Sequence, residues 1–291
     1  MKTYLAEFFK EFSYEGEDAA FLLAAYDRIE GNREAFSLWQ EALALYDADI
    51  ACEYSEILKK ADGAADLTGL HEYTAELLIF ICMTRRLRAL YAERGLSSEI
   101  YRNSVLDLRY KLEECKTVKG IVGSFVAYWF PGFFDLSRFA LGRLQFEMID
   151  FGMDYERNGH VLTPKSRVIN VHIPRTGTPM DKESCDDSYR QAKEFFKKET
   201  GEECVFHCHS WLLYPENRTI LPPHTNIYRF LSEYEILASH TDRDGRELWR
   251  LFDTDERNPD RLPTNTSARR LYAEHLKKGG KVDVGKGIFF A

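Results

Sequence analysis

The sequence lacks a basic excess. Its formal net charge is -8, whereas a chain that binds nucleic acid normally presents a cationic face that displaces counterions from the phosphates. Nucleic acid is therefore not an expected partner. Long apolar runs are missing too. The N-terminal stretch MKTYLAEFFKEFSYEGED is broken by charges every few residues, so it has no apolar core of the kind a signal peptide needs. The most apolar later stretch, residues 77–83, is too short to cross a bilayer and runs straight into Arg85 and Arg86. A cytoplasmic protein without a membrane partner is the expectation. No CxxC pair occurs among the six cysteines, Cys52, Cys82, Cys115, Cys185, Cys204 and Cys208. That predicts free thiols in a reducing compartment rather than a disulfide framework or a structural zinc knuckle. There is no GxSxG nucleophile elbow and no internal repeat.

Proline is absent from residues 3–119, and over that stretch apolar residues recur at helical spacing, as in Phe36, Trp39, Leu43, Tyr46 and Ile50. This half reads as an antiparallel helical bundle with elements of roughly 20 to 30 residues, above the globular mean. Gly31-Asn32, Gly63 and Gly95 are candidate helix ends, and Ser97-Ser98-Glu99 is a capped restart. Near residue 120 the character changes, as Gly120, Gly123, Pro131 and Gly132 appear beside Phe125, Tyr128, Trp129, Phe130, Phe133 and Phe134. At 291 residues with 44% hydrophobic content, two domains are expected, and this change divides them into 1–130 and 131–291. The aromatic run reads as a hydrophobic seam between domains, or more sharply as an acyl-chain groove.

Behind the boundary, strands are predicted over 143–151 and 167–173, an amphipathic helix over 181–198 with Asp181 as its cap, and another strand over 204–213. Strand, helix, strand implies a parallel crossover. A loop marked by Pro215, Pro222 and Pro223 leads to a short helix near Asn226. Strands over 235–240 and 247–252 follow, with Asp244-Gly245 as their turn, then a helix over 267–278 and a closing strand over 281–290.

Period-2 geometry in the 204–213 strand puts His207, His209 and Trp211 on one face and Cys208, Ser210 and Leu212 on the other. His172 ends the preceding parallel strand, so its ring is expected near the C-terminal edge that carries His209 and Ser210, the edge where open α/β sheets bind ligands. Histidine suits proton transfer near neutral pH; buried rings satisfied by backbone groups are the structural alternative. His207-x-His209, with His172 or His224, also has a metal-binding spacing, but no obvious carboxylate completes a set and no metal is expected. Cys208 reads as a core thiol rather than a nucleophile, because its neighbour His209 faces the other way. Glu147, in an otherwise apolar strand, belongs either to a solvated face or to a cleft. The turn Arg175-Thr176-Gly177-Thr178 combines amides, hydroxyls and a following helix N-terminus, the parts of an anion-binding loop, and equally of an ordinary connection.

Taken together, RLQFE, VHIPRTG, CHSWLL and LPPHTNI, in that order over residues 143–230, resemble bacterial acyltransferase-domain proteins that join a helical N-acyltransferase N-terminal domain to a GNAT-like C-terminal domain. The resemblance spans nearly the whole chain, the helical half matching in length and character. It implies an α+β two-domain fold, an all-α helical bundle followed by a GNAT-like mixed α/β sheet domain. It also implies an acyltransferase that moves an acyl group from acyl-CoA, its co-substrate, to an amine or hydroxyl of a small-molecule or peptide acceptor. In that superfamily the pyrophosphate of the acyl-CoA meets a strand, a glycine loop and a helix. Here these would be the strand ending at Ile173, then Arg175, Thr176, Gly177 and Thr178, then the helix from Asp181. The chain reads Arg-Thr-Gly-Thr-Pro where Arg-x-x-Gly-x-Gly or Ala is usual, so Pro179 brings no amide hydrogen to the cradle. The candidate bases are His209, His172 and Glu147, in that order, with Ser210 or a bound water protonating the departing thiolate. Trp211, Asn226 and the Pro222-Pro223 loop are the candidate substrate pocket. The same pocket would serve the alternative, a non-catalytic protein that binds a small ligand or peptide on this scaffold.

Overall fold

The computed structural model describes residues 1–201, 203–240 and 247–291. They form two compact units, Met1–Phe139 and Ala140–Ala291. The first unit carries α1 (Lys2–Glu11), α2 (Gly16–Gly31), α3 (Arg33–Ala48), α4 (Tyr54–Thr68), α5 (Glu72–Glu93), α6 (Ser98–Lys119) and a short α7 (Pro131–Phe134). Helix α5 is the central one. Leu77, Leu78, Ile79, Phe80, Ile81, Cys82 and Met83 are all buried, which explains why the longest apolar run of the chain lies there: a helix enclosed on every side has no polar stripe. Helix α3 shows the ordinary amphipathic pattern, burying Ala35, Trp39, Ala42 and Tyr46.

Three of these helices are shorter than the periodicity predicts, whereas α5 and α6 have the expected length. α2, α3 and α4 have 16, 16 and 15 residues, and α5 and α6 have 22. The reason is capping chemistry that periodicity does not register. Asn32 Oδ1 accepts the amides of Glu34 and Ala35, both at 3.1 Å, and restarts the chain as α3 directly after α2. Gly63, expected at a helix end, lies inside α4, where a Cβ would come 3.1 Å from Leu38 Cδ1; its small size lets α3 and α4 approach. α4 ends instead at Gly69, whose φ of +62° is the left-handed conformation glycine tolerates. Ser97 caps α6 as expected, its Oγ accepting the Glu99 amide at 3.1 Å. In the aromatic run, Phe130 and Phe134 pack on Phe80 with ring centroids 5.1 and 4.9 Å apart, and the Tyr46 hydroxyl donates to the Phe134 carbonyl at 2.9 Å. This segment completes the core of the helical unit.

β1 (Arg138–Leu141) crosses the division. It is followed by β2 (Leu144–Asp150), β3 (Tyr155–Arg157), β4 (His160–Leu162), β5 (Arg167–His172), α8 (Lys182–Phe195), α9 (Lys197–Thr200) and β6 (Val205–Ser210). Then come α10 (Asn217–Ile220), α11 (Asn226–Glu233), β7 (Glu235–His240), α12 (Leu248–Phe252), α13 (Ser267–Lys277) and β8 (Val284–Phe290). The main sheet has the order β1-β2-β5-β6-β8-β7, with β3 and β4 a separate hairpin. β5 and β6 run parallel around α8, as the strand, helix, strand pattern requires, while β2 with β5, β6 with β8, and β7 with β8 are antiparallel.

Two strand assignments need correction. The strand expected over 204–213 stops at Ser210, whose Oγ accepts the Leu212 amide at 3.2 Å and turns Trp211–Leu213 into a single 3-10 turn. Trp211 therefore leaves the face it was expected to share with His207 and His209, and packs edge-on against Tyr272 with centroids 6.0 Å apart. Residues 247–252, expected as a strand, form α12. Leu248, Leu251 and Phe252, spaced for a helix, are buried in one cluster with Tyr272 and Leu262. The Asp244-Gly245 turn lies outside the described residues.

Residues in register share a face of the sheet. On one face Phe146, Phe206 and Phe289 meet the Tyr189 ring of α8 at 6.2, 4.9 and 4.9 Å, and the Tyr189 and Tyr234 hydroxyls pair at 3.0 Å. The other face is divided along its length. One end is apolar, where Val168, Val205 and Ile288 pack with Phe151 and Tyr155. The other end is polar.

Candidate active site

The polar end is built across three strands. The antiparallel register sets Glu147 of β2 opposite Asn170 of β5, and the parallel register sets Asn170 opposite His207 of β6. His172 lies two residues beyond Asn170 and so shares its face. His172 Nε2 is 2.7 Å from Glu147 Oε1, Asn170 Nδ2 donates to that same oxygen at 3.0 Å, and Asn170 Oδ1 is 2.8 Å from His207 Nδ1. The carboxylate can accept from His172 only when Nε2 carries the proton, which leaves the acceptor lone pair of a neutral imidazole on Nδ1. By the same reasoning His207 donates from Nδ1 to Asn170 and keeps its acceptor on Nε2. That Nε2 is buried with no hydrogen-bond partner among the described residues. Burial, followed by the charges of Lys286, His209 and His172, holds the His207 pKa down to about 4, so the ring is neutral at neutral pH. The Glu147 and His172 side chains are 15% and 19% exposed. They are thus reachable, yet sufficiently withdrawn from water for a charge-assisted bond to gain strength.

At this point the two parallel strands part. Their register pairs Ile169 with Phe206 and Asn170 with His207 and goes no further, although β5 continues to His172 and β6 to Ser210. The fork opens at the C-terminal edge. From there the chain enters the loop leading to α8, which two arginines hold by its carbonyls. Arg143 donates to the carbonyls of Pro174, Thr178 and Pro179 at 2.9, 3.3 and 3.4 Å, and Arg229 to that of Met180 at 3.0 Å. The amides of Arg175, Thr176 and Gly177 make no hydrogen bond among the described residues. Asp181 Oδ1 accepts the Ser184 amide at 2.9 Å and caps α8, as expected, so an anion here would meet the loop amides ahead of the helix. Arg175 is itself engaged. Its guanidinium lies across Asp253 in two contacts of 2.6 and 2.8 Å, and Asp253 also pairs with Arg269. Two guanidiniums on one carboxylate leave a net positive charge beside the loop.

Of the residues singled out in the sequence, Glu147 and His172 are brought together. His209 is not part of that cluster. Its ring is exposed, its nearest ring neighbour is His240 with centroids 6.3 Å apart, and partial burial followed by the His240 and Lys286 charges keeps its pKa below the ordinary value. Ser210 is engaged in capping the 3-10 turn. Ile173 follows the end of β5 at the loop's entrance, and Thr176 and Thr178 pair through their hydroxyls at 2.6 Å. Trp211 belongs to the core around Tyr272, while Asn226 is the exposed first residue of α11 and His224 is exposed before it. Cys208 is wholly buried on the α8 side and its thiol is pushed up by that burial. Asn170 and Arg143 were missed. Asn170 was detectable, because it sits two residues before His172 on a strand. Arg143 carries no such signal, since its partners are backbone carbonyls remote in sequence.

Among the described residues, no group of three His, Cys, Asp or Glu side chains converges as a metal-ligand set, and no helix is long and apolar enough to cross a membrane.

The family model for a GNAT-like C-terminal domain matches residues 138–289, and that for an N-acyltransferase N-terminal domain matches residues 3–136. None of the curated proteins compared matches the chain. Among solved structures, an acyltransferase in complex with decanoyl-CoA and teicoplanin is similar with a TM-score of 0.74 and 21% identity, over 98% of this chain and 86% of that one. An acyltransferase in complex with decanoyl-CoA gives 0.75 and 20%, over 97% and 86%. A third, with CoA and 10C-teicoplanin, gives 0.66 and 19%, over 98% of each chain. At such identities the likeness is one of fold. The resemblance carried by the RLQFE, VHIPRTG, CHSWLL and LPPHTNI segments is borne out, and the chain belongs to the family that joins an N-acyltransferase N-terminal domain to a GNAT-like C-terminal domain.

Proposed function

We propose that the chain is an acyl-CoA-dependent N-acyltransferase in which His172, oriented by Glu147, is the general base. The observation that carries this reading is the 2.7 Å contact between His172 Nε2 and Glu147 Oε1 at the mouth of the fork. Acyl-CoA is the co-substrate, as in the similar solved complexes. Its pyrophosphate would meet the amides of Arg175, Thr176 and Gly177 and the positive charge of the Arg175–Asp253–Arg269 group, with the thioester in the fork.

The acceptor amine attacks the thioester carbonyl carbon. As the C–N bond forms, the amine N–H proton passes to the His172 imidazole, and Glu147 bears the resulting imidazolium through Nε2. The C–S bond then breaks, and the thiolate departs and takes a proton from the imidazolium or from water. Proton transfer to a positioned histidine typically contributes about 10²–10⁴-fold. His209 ranks behind His172 because a base needs a partner that fixes its tautomer. The acceptor is a small molecule or peptide presenting an amine.

The test is thiol release from acetyl-, octanoyl- and decanoyl-CoA over a panel of amines, together with calorimetric titration of the same acyl-CoAs. Heat on titration and thiol release slowed about 10²–10⁴-fold by His172→Ala are expected. No heat with any acyl-CoA would end the reading, and heat without turnover for any amine would turn it into a binding protein.

A further inference from the structure

Lys286 is a cation on the polar face that makes no ion pair among the described residues. It lies on β8 opposite His209, on the same face as His207, Asn170 and Glu147. Its side chain is half-buried, and Nζ sits 5.8 Å from the centroid of the Phe151 ring, which itself stands edge-on to His207 at 6.4 Å. The ammonium therefore leans over the sheet toward β6 and β5 rather than out along the edge. Its charge is felt by both neighbours, since it helps hold down the pKa values of His207 and His209. Among the described residues no carboxylate forms an ion pair with it. Two other acids of this face are engaged, Glu147 with His172 and Asn170, and Glu235 with Tyr155 and Arg157, while the carboxylates of Asp283 and Glu247 act on His209 beside it without pairing with the lysine.

A half-withdrawn ammonium held by an aromatic ring and lacking a counterion bears a solvation cost that a bound anion would remove. His209, exposed beside it, adds a second donor. The pyrophosphate loop lies at the end of β5, two strands from β8 in the sheet order, at roughly 4.8 Å per strand. Resting on the acyltransferase reading, we infer that Lys286 is the acceptor's carboxylate site, so that the acceptor is an amino acid or peptide-like amine carrying a carboxylate. The amine would face His172 while the carboxylate pairs with Lys286, and the two contacts would orient the nucleophile across the fork.

The test separates this from the acyltransferase reading itself. N-octanoylglycine, which carries the acyl amide and the carboxylate of such a product, and octanoylglycinamide, which lacks the charge, are titrated into the wild-type chain, Lys286→Met and Lys286→Arg. Folding is checked by circular dichroism. The carboxylate is expected to bind at least ~10-fold more tightly than the amide, as a charge-assisted hydrogen bond supports. That preference should vanish in Lys286→Met and partly return in Lys286→Arg. Octanoyl-CoA affinity should be unchanged in all three. Equal binding of the two probes by the wild-type chain overturns the inference. So does loss of octanoyl-CoA binding in Lys286→Met, which would assign the lysine to a phosphate of the co-substrate. Thiol release that does not distinguish glycine from glycinamide would also overturn it while leaving the acyltransferase reading intact, whereas absence of octanoyl-CoA binding to the wild-type chain would remove both.

Discussion

Glu147 and His172 lie on neighbouring antiparallel strands, yet they are not opposite each other in register. Glu147 faces Asn170, and His172 reaches diagonally to the same carboxylate oxygen that Asn170 already occupies, at 2.7 Å against 3.0 Å. The carboxylate is thereby fixed from two sides, and it favours the imidazole tautomer with the proton on Nε2, a nitrogen that Asn170 Nδ2 also approaches at 3.0 Å. Glu147→Gln keeps the shape but can present an N–H where an acceptor is needed. Turnover is expected to fall by about 10²–10⁴-fold, with acyl-CoA affinity preserved. Because the pair acts as a unit, Glu147→Gln combined with His172→Ala should be no slower than His172→Ala alone. Multiplicative losses in single-turnover thiol release would show that the two act separately.

The neutral His207 ring makes stability depend on pH. In the folded protein its pKa is held to about 4, while in the unfolded chain it titrates near ~6.5. Between those values the unfolded state binds the additional proton, so stability falls as pH falls from the upper value toward the lower, and the penalty levels off once both states are protonated. Urea melts of the wild-type chain and His207→Gln at several pH values between 7 and 4 should show a shallower decline in the variant. Parallel declines would mean that His207 is protonated in the folded protein.

Arg143 holds three carbonyls of the loop after β5. Arg143→Met keeps much of the aliphatic stem but removes every donor. Tryptic cleavage after Arg175 should accelerate while β5 and α8 stay protected from amide hydrogen exchange, and acyl-CoA affinity should drop with it. Unchanged cleavage in the loop would show that Arg143 does not hold it.

Asp253 has a left-handed backbone, φ +57°, which asparagine also tolerates. Asp253→Asn therefore removes the charge shared by Arg175 and Arg269 with little backbone cost. A phosphate would no longer compete with that carboxylate, so acyl-CoA should bind more tightly at low ionic strength. The gain should shrink as salt shortens the screening length to about 8 Å. Weaker binding by this variant at every ionic strength would assign Asp253 to holding Arg175 in place for the ligand.

Much of this arrangement is legible in the sequence because it depends on alternation. Glu147, His172, His207 and His209 can each be assigned to a strand from the residues around them, and the parallel relation of β5 and β6 follows from the helix between them. What alternation cannot convey is where a ladder ends or how strands are offset. The reach of His172 to Glu147 depends on a register between two strands separated by a hairpin, and the departure of Trp211 depends on one Ser210 hydroxyl capturing an amide. The helix at 248–252 reads as a strand in the sequence because five residues are too few to separate a period of two from one of 3.6 when most are apolar. Lys286 could be seen only as an alternating residue of a terminal strand, since having a ring but no carboxylate partner among the described residues is a property of the fold.

The pairing of β5 with β6 ends at Asn170 and His207, and these same two residues are also joined through their side chains. Backbone and side-chain ties thus coincide at one rung, which acts as a rivet: the strands can diverge only above it. The floor of the opening is therefore an amide and an imidazole edge, with one buried nitrogen that finds no donor among the described residues. A fatty chain pushed down to that floor would strand the nitrogen against methylenes, an arrangement that costs free energy. Length selection among acyl groups should accordingly be decided by walls away from the rivet, and the rivet itself should favour whatever ligand brings an N–H or a water to it.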